Sequence, residues 1–195
     1  MSRLGGLPVA DRYREIARGF TEAVAATRDW DAPAPVEGWR ARDVVGHLLG
    51  WFPPMLEGGS TVRLSPVGSV ADDPAGAWSG LDAQLQALLD DPAVAELQHT
   101  HEHTGTMPVP VMIDRIYTTD VLMHTWDLAR AGGQSGRLDA DYATEVLTGM
   151  RGMEDVLRAS GQFGTQQPEP PDADATDRLV AFIGRDPRWA PPPTG

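Results

Sequence analysis

At 195 residues the chain is one domain's worth of polypeptide, long enough to bury a core without disulfides. Sixteen basic against twenty-eight acidic residues leave a net charge of −12, a field that repels phosphate backbones and anionic lipid, so neither nucleic acid nor membrane is expected as a partner. Cysteine is absent and every basic residue is arginine, which together exclude a disulfide framework, a cysteine nucleophile, a lysine Schiff base and a Walker-type phosphate loop.

Charges run through the first thirty residues (Arg3, Asp11, Arg12, Arg14, Glu15, Arg18), and the most apolar stretch, Val44 to Leu56, is short and broken by Pro53 and Pro54. No signal peptide or membrane span is expected, and the protein is placed in the cytoplasm. Tyr13, Ile16, Ala17, Phe20 and Val24 recur at helical spacing and predict a first amphipathic helix over about Pro8 to Arg28. Asp31 to Gly38 reads as a proline-rich connection. Val44, Val45, Leu48, Leu49, Trp51 and Phe52 then mark a second helix, which Pro53 and Pro54 kink or end.

Glu57 to Asp73, rich in Gly, Ser and Pro, reads as a long loop. Asp73 followed by Pro74 is an N-cap signal for a third helix carrying Trp78, Leu81, Leu85 and Leu88, stopped by Pro92. Val94 to Val111 holds a Thr104-Gly105 turn signal and predicts a hairpin. A fourth helix runs from about Pro110 to Ala131 before Gly132-Gly133. Asp139 caps another along Ala143, Val146, Leu147, Met150 and Leu157, ended by Ser160-Gly161. Phe163 to Asp172 reads as a surface crossing, and Asp174 opens a last short helix through Leu179, Val180 and Ile183. The expected fold is all-α over a single domain, 1–195: an up-and-down four-helix bundle with a small appended β-hairpin and a short C-terminal helix.

The fourth helix carries an anomaly. At 100° per residue, Ile113, Tyr117, Asp120, His124, Asp127, Leu128 and Ala131 share one arc, while Leu122 and Trp126 make the opposite side apolar too. A carboxylate and an imidazole therefore sit on an inward stripe of a central helix, and an unpaired buried carboxylate costs several kcal/mol. Asp120 and His124, four apart, project side by side as two metal ligands from one helix require. His47 of the second helix, flanked by Gly46 and Gly50 that would admit a close neighbour, offers a third ligand and leaves coordination positions open, the pattern of catalytic sites. Spacing alone leaves a second reading equally open, in which Asp120 and His124 form an intrahelical ion pair and His47 is a hydrogen-bonded core histidine.

His99, His101 and His103 in HTHEH alternate as on a strand, where they could converge on a metal. A solvated edge beside the turn is the favoured reading. Neither GxSxG nor GxGxxG occurs, and HTHEH is not the zinc-protease motif, which needs its two histidines four apart on a helix.

ARDVVGHLLGWFPPML, DVLMHTWDLARAGG and DRLVAFIGRDPRW together resemble the DinB-like four-helix-bundle superfamily, in its actinobacterial branch related to the N-terminal domain of mycothiol-dependent maleylpyruvate isomerase. The resemblance implies a divalent metal held by His47, Asp120 and His124, with Asp120 standing where the isomerase has glutamate, one methylene longer. No counterpart of the isomerase's C-terminal domain is expected, so the specific reaction does not carry over. Related bundles bind a low-molecular-weight thiol on the metal and lower its pKa, which implies mycothiol as cosubstrate and a small electrophile as substrate.

Two histidines and one carboxylate suit zinc, nickel, manganese and ferrous iron, with zinc and nickel expected first. The expected function is a metal-dependent thiol transferase or isomerase, with Asp127 or Tyr117 orienting the ligands and a homodimer compatible with it. The alternative is a non-catalytic metal- or small-molecule-binding bundle with a stress or sensing role. Metal-assisted hydrolysis has only Asp127 or Glu57 as a base to draw on.

Overall fold

The computed structural model describes residues 1–102 and 104–192. Helix α1 (Val9–Ala26) buries Tyr13, Ile16, Ala17, Phe20, Ala23 and Val24, the stripe that three- and four-residue spacing predicts. Helix α2 (Ala41–Gly59) opens on a reciprocal cap, with the Asp43 carboxylate accepting from the Arg40 amide.

Pro53 and Pro54 do not end α2; it runs six residues past Pro53 to Gly59. Each removes an N–H from the helix ladder, at a cost of about 3 kcal/mol for an interior proline. Phe52 and Leu56 flank the pair and are fully buried, and each contributes about 1.5–3 kcal/mol, of the same order as that cost. The following loop accordingly begins at Ser60 rather than Glu57.

Helix α3 (Pro74–Asp90) is capped by Asp73, whose side chain accepts from the Gly76 amide at 2.9 Å. A 3₁₀ turn (Pro92–Glu96) leads into strands β1 (Gln98–His101) and β2 (Gly105–Pro108), an antiparallel hairpin pairing Gln98 with Pro108 and His101 with Gly105. Gly105 takes φ +72°, a turn conformation that a Cβ disfavours.

The predicted fourth helix is one continuous helical run of three parts: α4 (Val109–Met112), a π-helical turn (Ile113–Thr118) and α5 (Thr119–Ala131). The wider i→i+5 turn interrupts the regular 100° stepping just before Asp120. Helix α6 (Ala140–Arg151) is capped by Asp139. The chain breaks at Gly152 before the exposed α7 (Glu154–Ala159), so the single helix expected there is two. Helix α8 (Ala175–Phe182) begins in an Asp174–Asp177 capping box.

Helix α1 packs on α3 and α5, α2 packs on the same two helices, and α6 packs on α8. Helix α5 is buried nearly all round, as its apolar sequence requires. The molecule is thus mostly helical, with one two-stranded sheet. No helix among the described residues is long and apolar enough to cross a membrane.

Candidate metal centre

Because α2 packs against α5, His47 faces Asp120 across the helix pair. His47 Nε2 lies 3.2 Å from Asp120 Oδ2, and His124 Nε2 lies 3.4 Å from Asp120 Oδ1. One ligand atom from each of the three falls within 4.8 Å of the others, and among the described residues this is the group of His, Asp and Glu side chains able to hold a metal ion. The flanking glycines do not act as expected: a Cβ at Gly50 would meet nothing within 4 Å, and one at Gly46 would meet only Val70. Those positions point away from α5, and the helix pair is filled by side chains instead.

Two tryptophans complete the walls. Trp51, one turn beyond His47, donates its indole N–H to Asp120 Oδ2 at 3.0 Å. Trp39, from the loop before α2, lies nearly parallel to His124 (ring centroids 5.8 Å apart, 18° between planes) and 5.1 Å from His47. Trp39 drew no attention in the sequence, where it is one aromatic in a proline-rich connection.

Behind His124, its Nδ1 lies 2.9 Å from Oδ2 of Asp127, which is wholly buried. Arg185 closes on the same carboxylate with two donors, Nε to Oδ1 at 3.2 Å and Nη2 to Oδ2 at 3.0 Å. Burial would depress the His124 pKa, but the Asp120 and Asp127 carboxylates overturn this and raise it to about 9. Burial likewise pushes Asp120 upward, and the two imidazoles outweigh it, holding its carboxyl well below the ordinary range.

Of the two orienting residues expected, Asp127 contacts a ligand and Tyr117 does not. The Tyr117 hydroxyl is buried without a hydrogen-bond partner among the described residues, while its ring stacks on Phe52 at 4.0 Å. The bases considered for hydrolysis are committed elsewhere: Asp127 to His124 and Arg185, Glu57 to the Leu64 amide at 3.0 Å. His99 is not on a solvated edge. It is fully buried, its Nε2 is 3.0 Å from the Met55 carbonyl, and it sits against Gly59, because the hairpin packs on α2. His101 is half-buried, with its ring 6.4 Å from that of His99, and His103 lies outside the described residues.

The donor set fits a divalent cation. Tetrahedral bonds of about 2.0–2.2 Å place ligand atoms roughly 3.4 Å apart; His47 and His124 approach different oxygens of Asp120 at 3.2 and 3.4 Å, and one atom from each of the three lies within 4.8 Å of the others, so a small inward shift would close the set on an ion. Asp127 occupies His124 Nδ1 and leaves Nε2 for the ion, the supporting carboxylate–histidine arrangement of metal sites.

Comparison with known proteins adds an independent line. The family model described as the mycothiol maleylpyruvate isomerase N-terminal domain matches residues 13–59, which hold α1, α2 and His47. Two uncharacterized proteins of Mycobacterium tuberculosis, from strains CDC 1551 / Oshkosh and ATCC 25618 / H37Rv, are each 31% identical over 167 residues, covering 78% of this chain and 83% of theirs. No solved structure matches significantly. With α1, α2 and His47 inside the matched segment and its relatives aligned over most of their length, the chain belongs to the mycothiol maleylpyruvate isomerase N-terminal domain family.

Proposed function

We propose that the protein is a divalent-metal-binding bundle of the DinB-like, up-and-down four-helix type that brings a low-molecular-weight thiol, mycothiol first, to a small electrophile in the cytoplasm. The observation that carries this reading is the clustering of one ligand atom each from His47, Asp120 and His124 within 4.8 Å, on two helices. The bundle reading rests on α1, α2, α3 and the run 109–131, which pack pairwise around one core.

Zinc or nickel bound there would supply a Lewis acid that keeps a coordinated sulfur deprotonated at neutral pH. The chain's own part is to hold and shield. Trp51 fixes the Asp120 carboxylate by its indole N–H, Asp127 fixes the His124 ring, and Trp39 covers one face of that ring. With no cysteine in the chain, the sulfur comes from a bound small molecule.

Elemental analysis of the purified protein, followed by turnover of a panel of electrophiles with mycothiol, glutathione and no thiol, tests the reading. Stoichiometric metal and mycothiol-dependent product are expected. A metal-loaded protein inactive with every thiol overturns the enzyme reading in favour of a non-catalytic binding bundle. The binding reading has an observation of its own: Asp120 already accepts from Trp51 and lies between two imidazoles, so the polar cluster is satisfied without chemistry.

A further inference from the structure

Arg185 contributes nothing to the three-ligand cluster, yet the fold goes to some length to bury it. It follows α8, where Gly184 turns the chain at φ +94° and crosses Gly164 so closely that a Cβ would lie 2.6 Å from the Gly164 Cα. The Arg185 amide donates to the Val180 carbonyl at 2.9 Å, and its Nη1 donates to the Ile183 carbonyl at 3.3 Å. Backbone and guanidinium are thus both held, and the side chain is only 14% exposed.

The guanidinium meets both oxygens of Asp127, at 3.2 and 3.0 Å, and Asp127 Oδ2 is the atom that meets His124 Nδ1 at 2.9 Å. A two-pronged arginine sets the plane of a carboxylate, where a single donor would leave it free to rotate. Held in that plane, Asp127 accepts a hydrogen bond from His124 Nδ1, and this leaves Nε2 directed at His47 and Asp120.

We propose that Arg185 is a positioning residue of the metal centre, acting through Asp127 to hold His124 in the ligating tautomer and orientation. This rests on the metal reading above and extends it to a segment 58 residues away from Asp127 in sequence.

The test is zinc affinity of the full chain, by competition with a chromophoric chelator, for wild type, R185Q, R185K, D127N and D127N/R185Q. Thermal unfolding of each variant in chelator monitors folding separately. R185Q should weaken zinc binding by about 10–100-fold, the range for loss of a supporting partner. R185K, which keeps the charge and loses the fork, should recover part of that loss. In the D127N background R185Q should change affinity by less than about twofold, since the route through Asp127 is already cut. Wild-type affinity in R185Q, or losses that simply add in the double variant, overturns the proposal. If R185Q does not fold, R185K and the double variant carry the test, because D127N/R185Q strands no buried charge. A wild-type protein that binds no zinc or other divalent ion overturns the metal reading itself, a different outcome.

Discussion

The Nδ1 atom of His124 lies 2.9 Å from Oδ2 of Asp127, three residues further along α5, with both side chains withdrawn from solvent. Three-residue neighbours share a helical face, so the contact needs little further ordering once α5 is formed. It decides which nitrogen of the ring faces His47. Besides the Asp120–His124 pair within α5, the contacts of the centre are long-range and come from Trp39, α2 and the segment after α8.

Replacing His124 by Ala removes one of the three proposed ligands and should lower zinc affinity by more than about a hundredfold, beyond the range for supporting residues. His101→Ala, on the hairpin, should leave affinity within about twofold. Chelator competition on the two variants checks both, and equal losses would show that the ion sits at the hairpin.

The His124 pKa implies a stability that falls with pH without metal, and a metal-conferred increment that rises with pH over the same window and offsets that fall. Burial lowers it, the two carboxylates raise it, and the outcome is about 9 against an ordinary 6.5. A histidine raised in the folded state stabilises fully below 6.5, and the contribution is lost as pH climbs through 9. Chelator-treated protein should lose on the order of 3 kcal/mol across that window. Zinc displaces the same proton, so the stabilisation it confers should grow with pH over the same range. Thermal unfolding near the two ends of the window, with and without zinc, measures both slopes, and a flat metal-free profile would falsify the buried imidazolium.

Two buried tyrosines should respond oppositely to loss of a hydroxyl. Tyr13 donates to Asp82 at 2.9 Å, so Tyr13→Phe should cost about 1–2 kcal/mol. The Tyr117 hydroxyl has no partner among the described residues, and Tyr117→Phe should be neutral or stabilising by up to about 1 kcal/mol. Urea denaturation of the two variants decides, and comparable destabilisation by both would show that Tyr117 binds something in solution.

Gly184→Ala should be among the most damaging conservative changes, with a loss above about 2 kcal/mol. The position has φ +94°, and the added methyl would meet Gly164 backbone. Since Arg185 is next in the chain, zinc affinity should fall as well. Retained stability and affinity in this variant would show that the crossing can relax without moving Arg185.

Local periodicity and capping chemistry carry the part of this fold that is legible along the chain. The Tyr13–Val24 stripe, the Asp73, Asp139 and Asp174 caps and the Asp120–His124 pair each depend on residues within a turn or two of one another. That α2 outlasts Pro53 and Pro54 follows from long-range packing, since burial of Phe52 and Leu56 is a property of the assembled core. Packing also places His99 under α2 rather than in solvent, and sets the Tyr117 ring on Phe52 from within a π turn. Arg185 is the sharpest case: its motif, IGRDPRW, was in plain view, but nothing within a few residues of it names Asp127 as partner. The contact exists because a left-handed glycine and a glycine–glycine crossing fold the chain back onto α5, and such long-range closure has no periodic signature in sequence.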